Sequence, residues 1–226
     1  MDSRLRAVRS KLRRRLARIT DCSSGRSSPT DYTQTDWERR WGNVENALAF
    51  DMGEAAAAVR SAVGDGWFQP GMRVLDIGCG AGHSAAWLAG QGFEVIGIDF
   101  ARQAIERARV EYGGTPGLSF EVVDVVRQGV YVESFDALID RGCLHCVKRP
   151  DRPAYVANVM AWAQPGGRLL LIMQRRRTSG EELIVEIREL LQPGFEYVSS
   201  ELDDLAAPHA EFPIPAVAMR FVRTSN

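Results

Sequence analysis

The stretch Val74-Leu75-Asp76-Ile77-Gly78-Cys79-Gly80-Ala81-Gly82 decides the reading of this chain. Met72 to Ile77 is an apolar run of strand length, the next residues alternate glycine with small side chains, and a helix is expected to open near His83. Strand, glycine turn and helix make the first βα unit of a parallel sheet. The glycines let the backbone turn sharply and approach a ligand where a Cβ would collide. The pattern is Gly-x-Gly-x-Gly, with His83 where a dinucleotide fingerprint needs its third glycine. That argues against a pyrophosphate seated on the helix N-terminus.

Outward from this unit, strands and helices keep alternating. Glu94 to Asp99 reads as a second strand, Ala101 to Tyr112 as a helix and Ser119 to Asp124 as a third strand. Phe135 to Asp140 is a fourth strand, followed by a helix from about Arg152 to Ala163. Gln164-Pro165-Gly166-Gly167 turns the chain into a fifth strand, Arg168 to Met173. A helix at 181–191 and two late strands, near 195–201 and 216–223, close the chain, and upstream a helical stretch is expected at about 44–63. Strands separated by helices imply βαβ crossovers, hence an α/β fold whose mostly parallel sheet is covered on both faces.

The 226 residues fit one large domain with a short appendage, and 45% hydrophobic with 25% charged residues is an ordinary globular balance. A net charge of −1 excludes whole-molecule electrostatic capture of nucleic acid or anionic membrane. No apolar run approaches the ~20 residues that span a bilayer. No apolar segment follows the basic N-terminus as a secretory signal would require. Four scattered cysteines, Cys22, Cys79, Cys143 and Cys146, do not form a disulfide framework, so a cytoplasmic, reducing location is expected. Residues 1–30 stand apart. Leu5, Val8, Leu12, Leu16 and Ile19 recur three and four apart among arginines, as in a basic amphipathic helix. We read it as a surface helix packing on its own domain or a second copy, the alternative being a membrane or nucleic-acid contact. Residues 21–30 then read as a flexible linker, leaving 31–226 as the main domain.

In an open parallel sheet, ligands bind beyond the carboxyl ends of the strands where strand order reverses. Asp99 closes the second strand, about 20 residues past the glycine turn, where a carboxylate accepts both hydroxyls of a ribose. Asp124 is placed at the end of the third strand, suited to an adenine amino group, and Asp76 within the first turn, suited to a cationic amine. Each acid alone is more often a turn or cap residue. Together they suit a ligand with an amine, a ribose and an adenine.

On these residues the chain resembles the class I S-adenosylmethionine-dependent methyltransferases. Val74 to Gly82 is similar to their first motif, Val95-Ile96-Gly97-Ile98-Asp99 to their second, and Gln164-Pro165-Gly166-Gly167 to the pattern before their fifth strand. The resemblance implies a Rossmann-like seven-stranded sheet with the last strand antiparallel, and S-adenosyl-L-methionine as cofactor. It implies Asp76, Gly78, Gly80, Asp99, Phe100, Asp124, Val125 and Asp140 as cofactor residues. Asp140-Arg141-Gly142-Cys143-Leu144-His145 stands where base-amino methyltransferases carry an Asn-Pro-Pro-Tyr type tetrapeptide. Instead, Phe135 to Gly142, continued by Arg149-Pro150-Asp151-Arg152 and Tyr155, resembles the thiopurine S-methyltransferase group. Asp36-Trp37-Glu38-Arg39-Arg40-Trp41 is similar to that group's Trp-x-x-x-Trp entry helix. The likeness implies Trp37 and Trp41 as residues covering the cofactor and Arg141 as a substrate contact. Thiopurine enzymes proper lack the glycine-rich, acidic first motif that stands here in full, which points to a bacterial-type relative.

A small-molecule thiol is therefore the expected acceptor, with nucleic acid not expected as a partner. Methyl transfer from a sulfonium rests mainly on proximity and alignment. A thiol, with a pKa near 8.5, needs only a modest electropositive setting to give thiolate. Arg141 is expected to supply that setting and His145 to accept the proton. Arg141 has a second reading, an ion pair with Asp140 or another acid that only holds the loop. The alternatives are an O- or N-methyltransferase, and a binding protein that keeps the fold without catalysis. Cys143-x-x-Cys146 with His145 lacks the second Cys/His pair a zinc site needs, so no metal is expected.

Overall fold

Apolar residues run almost unbroken through the central strands because helices cover both faces of the sheet. The computed structural model describes residues 33–43, 51, 53–127, 131, 134–175, 179–205 and 214–225. The basic stretch 1–20 and the linker 21–30 lie outside them. In chain order the elements are α1 (Gln34–Trp41), α2 (Ala57–Gly64), β1 (Arg73–Ile77), α3 (His83–Gly90), β2 (Glu94–Asp99), α4 (Arg102–Tyr112), β3 (Leu118–Val122) and β4 (Phe135–Arg141). They continue with α5 (Arg152–Trp162), β5 (Ala163–Gln174), α6 (Gly180–Leu191), β6 (Phe195–Asp204) and β7 (Pro215–Arg223).

The seven strands lie in the order β3-β2-β1-β4-β5-β7-β6. The first five are parallel, and β7 runs antiparallel between β5 and β6. Strand order thus reverses between β1 and β4, as the seven-stranded expectation required.

Alternation along the strands sends each residue to one of two helical layers. Leu75 and Ile77 of β1, Leu138 of β4, Leu169 and Leu171 of β5 and Val217 and Met219 of β7 pack against Tyr155, Val159 and Trp162 of α5 and Leu183, Ile187 and Leu191 of α6. Their neighbours Val74, Ala137, Ile139, Leu170 and Ile172 turn to the other face, against Ala58, Val59 and Ala62 of α2, Ala85 and Leu88 of α3 and Ile105 and Ala108 of α4. The sheet is doubly wound, with α2, α3 and α4 on one face and α5 and α6 on the other.

Two local expectations are corrected. Of the helix expected at about 44–63, residues 44–50 and 52 lie outside the described residues; among the others, the helix runs from Ala57 to Gly64. Gly53 sits at φ 66°, in the left-handed region, and Ala56 is extended, its N–H donating to Ser84 Oγ (3.3 Å) rather than to a helical carbonyl. Alanine favours helix locally, but burial of Ala55 and Ala56 against the rest of the chain overrides it here. The third strand ends at Val122, so Asp124 lies beyond it rather than closing it.

Candidate active site

A cavity of about 270 Å³ opens at the carboxyl ends of β1, β2 and β4. The register decides which acids reach it. In parallel pairing Asp76 lies beside Gly97 and Ile139, while Ile77 lies beside Ile98 and Asp140. Asp76, Asp99 and Arg141 therefore project to the α2–α4 face, and Asp140 to the opposite one.

Trp37, Trp41, Asp76, Gly78, Gly80, Asp99, Phe100, Val125, Arg141 and His145 all line the cavity, so ten of the expected site residues converge there. Asp124 and Asp140 are not among the lining residues. Asp124 accepts the Val126 N–H (3.2 Å) and pairs with Arg127 (3.3 Å), while Val123 and Val125 on either side face the cavity. Asp140 is fully buried and accepts the N–H groups of Cys143 (2.7 Å) and Leu144 (2.9 Å) and the Tyr155 hydroxyl (2.6 Å). Its carboxylate fastens the turn after β4 to α5. Arg141 does not pair with it; its Nη2 donates to the Leu205 carbonyl (3.2 Å).

The glycine turn is closed on its far side by aromatic packing. Gly80 sits at φ 56°, and a Cβ there would come within 2.8 Å of the Trp41 ring. A Cβ on Gly78 would come within 2.7 Å of Cys143 Cβ. We expect Gly80→Ala to destabilise the fold by about 2–4 kcal/mol, the sum of left-handed strain and overpacking. Chemical denaturation with and without Trp41→Phe checks this, and unchanged stability would mean that Trp41 moves aside freely.

Asp99 accepts the N–H groups of Gly80 (3.1 Å) and Ala101 (2.9 Å), joining the turn to the end of β2. Burial nevertheless pushes its pKa up to about 6, against those two bonds. Asp76 is raised further, to about 7, by burial and by the charges of Asp140 and Asp99, with Arg141 opposing. Two carboxylates short of positive counter-charge thus face an open cavity. A ligand bringing a cationic ammonium and hydroxyl donors meets that deficit, which S-adenosylmethionine does. The residues present fit the cofactor.

His145 Nδ1 accepts the Gln174 N–H (3.4 Å). That bond ties one nitrogen of the ring to the end of β5. Around Arg141, burial loosens the hold on the guanidinium proton, and Asp203, Asp76, Asp204 and Asp51 act in the opposite sense. Cys143 and Cys146 line the cavity without a disulfide joining them, and among the described residues no group of three or more metal-binding side chains is assembled.

Sequence reading missed Asp51, Glu54, Gln174, Leu205 and Ile214, which also line the cavity, and saw His83 only as a missing glycine. Asp51 and His83 are 32 positions apart, so no local spacing signals their pairing.

Comparison with known proteins decides the class. A family profile described as a methyltransferase domain matches residues 74–167, from β1 to the turn within β5. Thiocyanate methyltransferase 1 of Arabidopsis thaliana is 29% identical over 182 residues, covering 76% of this chain and 78% of its own. Thiopurine S-methyltransferase of Pseudomonas putida is 28% identical over 151 residues, covering 60% and 69%. This chain carries a methyltransferase domain. The fold of the methyltransferase is shared with a solved structure concerned with converting a disulfide bond into a thioacetal group during echinomycin biosynthesis, at TM-score 0.74 and 24% identity, covering 86% of this chain and 94% of that one. It is shared too with 1,6-didemethyltoxoflavin-N1-methyltransferase of Burkholderia thailandensis, at TM-score 0.65 and 19% identity over 89% and 93% of the two chains. Among the described residues, no helix of the methyltransferase is long and apolar enough to cross a membrane.

Proposed function

We propose that the methyl acceptor is a small thiol, methylated on sulfur. The observation that carries this reading is the Arg141 guanidinium at the cavity wall, largely buried and continuous with the space beside Asp76. A fixed cation in a low-dielectric cavity favours the thiolate over the thiol. The similarity to thiol-methylating relatives supports it from a second direction.

In this reading Asp99 accepts the ribose hydroxyls, Asp76 meets the ammonium group, and Gly78 and Gly80 let the backbone come close. Trp37 and Trp41 enclose the same space. When bound, S-adenosylmethionine supplies an electrophilic methyl group on a sulfonium sulfur. Arg141 holds the acceptor sulfur as its anion, whose proton has already gone to water, and alignment does the rest. With that proton already lost to water, no general base is required of the protein, and His145 lines the same cavity wall. An amine acceptor is the second reading, favoured by the Glu54 carboxylate on the same cavity wall.

The test is methyl transfer to a panel of thiols, phenols and amines. Turnover is expected on thiols, and Arg141→Ala is expected to lower kcat/KM for the thiol about a hundredfold, as removal of a preorganised charge does. Cofactor affinity should change far less, and Arg141→Lys should recover part of the loss. Turnover confined to amines or phenols would overturn the thiol reading. A larger fall in cofactor affinity than in kcat would move Arg141 into the cofactor site.

A further inference from the structure

We propose that His83 and Arg107 are positioning residues for cofactor binding, acting by holding Asp51 and Trp41 at the cavity wall. The proposal rests on the reading that this cavity takes the cofactor. Asp51 reaches the cavity from outside the sheet, and its side chain is only 8% exposed. Its Oδ1 lies 2.6 Å from His83 Nε2 and accepts the Gly53 N–H (3.2 Å), and its Oδ2 lies 3.6 Å from the Arg107 guanidinium. On the other side of the imidazole, Nδ1 lies 2.6 Å from the Tyr112 hydroxyl of α4, the two rings meeting edge to face. His83 is thus gripped at both nitrogens and cannot turn. It acts as a rigid spacer between α4 and Asp51.

Arg107, also on α4, lies over the Trp41 ring at 5.6 Å, and Trp41 closes on Gly80. Its Nη1 is buried without a hydrogen-bond partner among the described residues. One helix therefore supports both a carboxylate and an indole that face the cofactor space. His83 itself opens α3 directly after the glycine turn, so the turn and Asp51 hang on the same residue. Replacing a buried ion pair by an apolar pair is often neutral for stability, so packing alone gives no reason to keep these charges. Their place at the cavity wall does. The hydrogen bond and charge of Asp51 raise the pKa of His83, and those of His83, with Arg107, hold Asp51 low despite its burial.

The experiment uses the full chain, with S-adenosylhomocysteine titrated by calorimetry and turnover measured against S-adenosylmethionine concentration. His83→Ala is expected to raise Kd at least tenfold, with the loss falling on KM for the cofactor and much less on kcat. His83→Gln, whose amide still donates to Asp51, should recover most of the affinity. The double variant Asp51→Ala, His83→Ala should bind no more weakly than Asp51→Ala alone, because His83 acts through Asp51. Arg107→Ala should shift the part of the fluorescence that Trp41→Phe removes, and Arg107→Lys should restore it. Wild-type Kd in His83→Ala, strict additivity in the double variant, or a fall in kcat as large as that in affinity would overturn the proposal. Failure of the wild-type chain to bind would overturn the cofactor reading itself, and this proposal with it.

Discussion

Replacing Asp76 by asparagine is expected to weaken cofactor binding a hundredfold or more while making the unliganded protein more stable. The first effect follows from charge. The variant leaves a buried ammonium without its anion, and an uncompensated buried charge costs about 3–5 kcal/mol. The second follows from the raised pKa, about 7 against an ordinary 3.8. Because the folded protein holds the Asp76 proton more tightly than the unfolded chain, stability is fully present below about 3.8 and declines as pH rises toward 7. At pH 8 the ionised, buried carboxylate is a standing penalty, and the asparagine variant is free of it. We expect a gain of about 1–3 kcal/mol at pH 8, discounted from the full shift for relaxation of the site. That gain should vanish near pH 4. Thermal melting at both pH values, with calorimetric titration at pH 7.5, checks the pair of effects. Reduced stability together with unchanged affinity would mean that Asp76 serves the fold and not the ligand.

The same acids make binding strongly pH-dependent. A cationic ligand selects the ionised form of Asp76, and hydroxyl donors select that of Asp99, so each proton must leave before the ligand is held. With pKa values of about 7 and about 6, affinity should fall about a hundredfold between pH 7.5 and pH 5.5. Most of the fall belongs to Asp76, so the asparagine variant should show a much shallower slope. Titrations in buffers of different ionisation enthalpy should also detect proton release on binding near pH 6.5. A flat profile over this range would show that both carboxylates are already ionised in the free protein.

The cavity wall formed by the glycine turn and the ends of β1 and β2 was legible in the sequence because it is local. β1, its glycine turn and the acid at the end of β2 lie within Val74 to Asp99, and their order alone sets the geometry. Asp140 was misread because an acid at a strand end looks the same on either face. The pairing of Ile77 with Asp140 puts that carboxylate on the α5 side, where Tyr155 takes it up. The contact between Gln174 and His145 was not legible, because it comes from the neighbouring strand. Asp51 was invisible for the opposite reason, since its partners, His83 and Arg107, lie far along the chain on α3 and α4.

The bonds that Asp140 makes to the turn after β4 have an evolutionary consequence. They secure the segment carrying Arg141, Gly142 and His145 from beneath, on the face of the sheet away from the acids of β1 and β2. The cavity-facing side chains of that segment can therefore be exchanged while the anchoring of their backbone and the acids of β1 and β2 stay as they are. Such a scaffold can be retargeted, by natural drift or by design, one surface residue at a time, without passing through variants that have lost the cofactor.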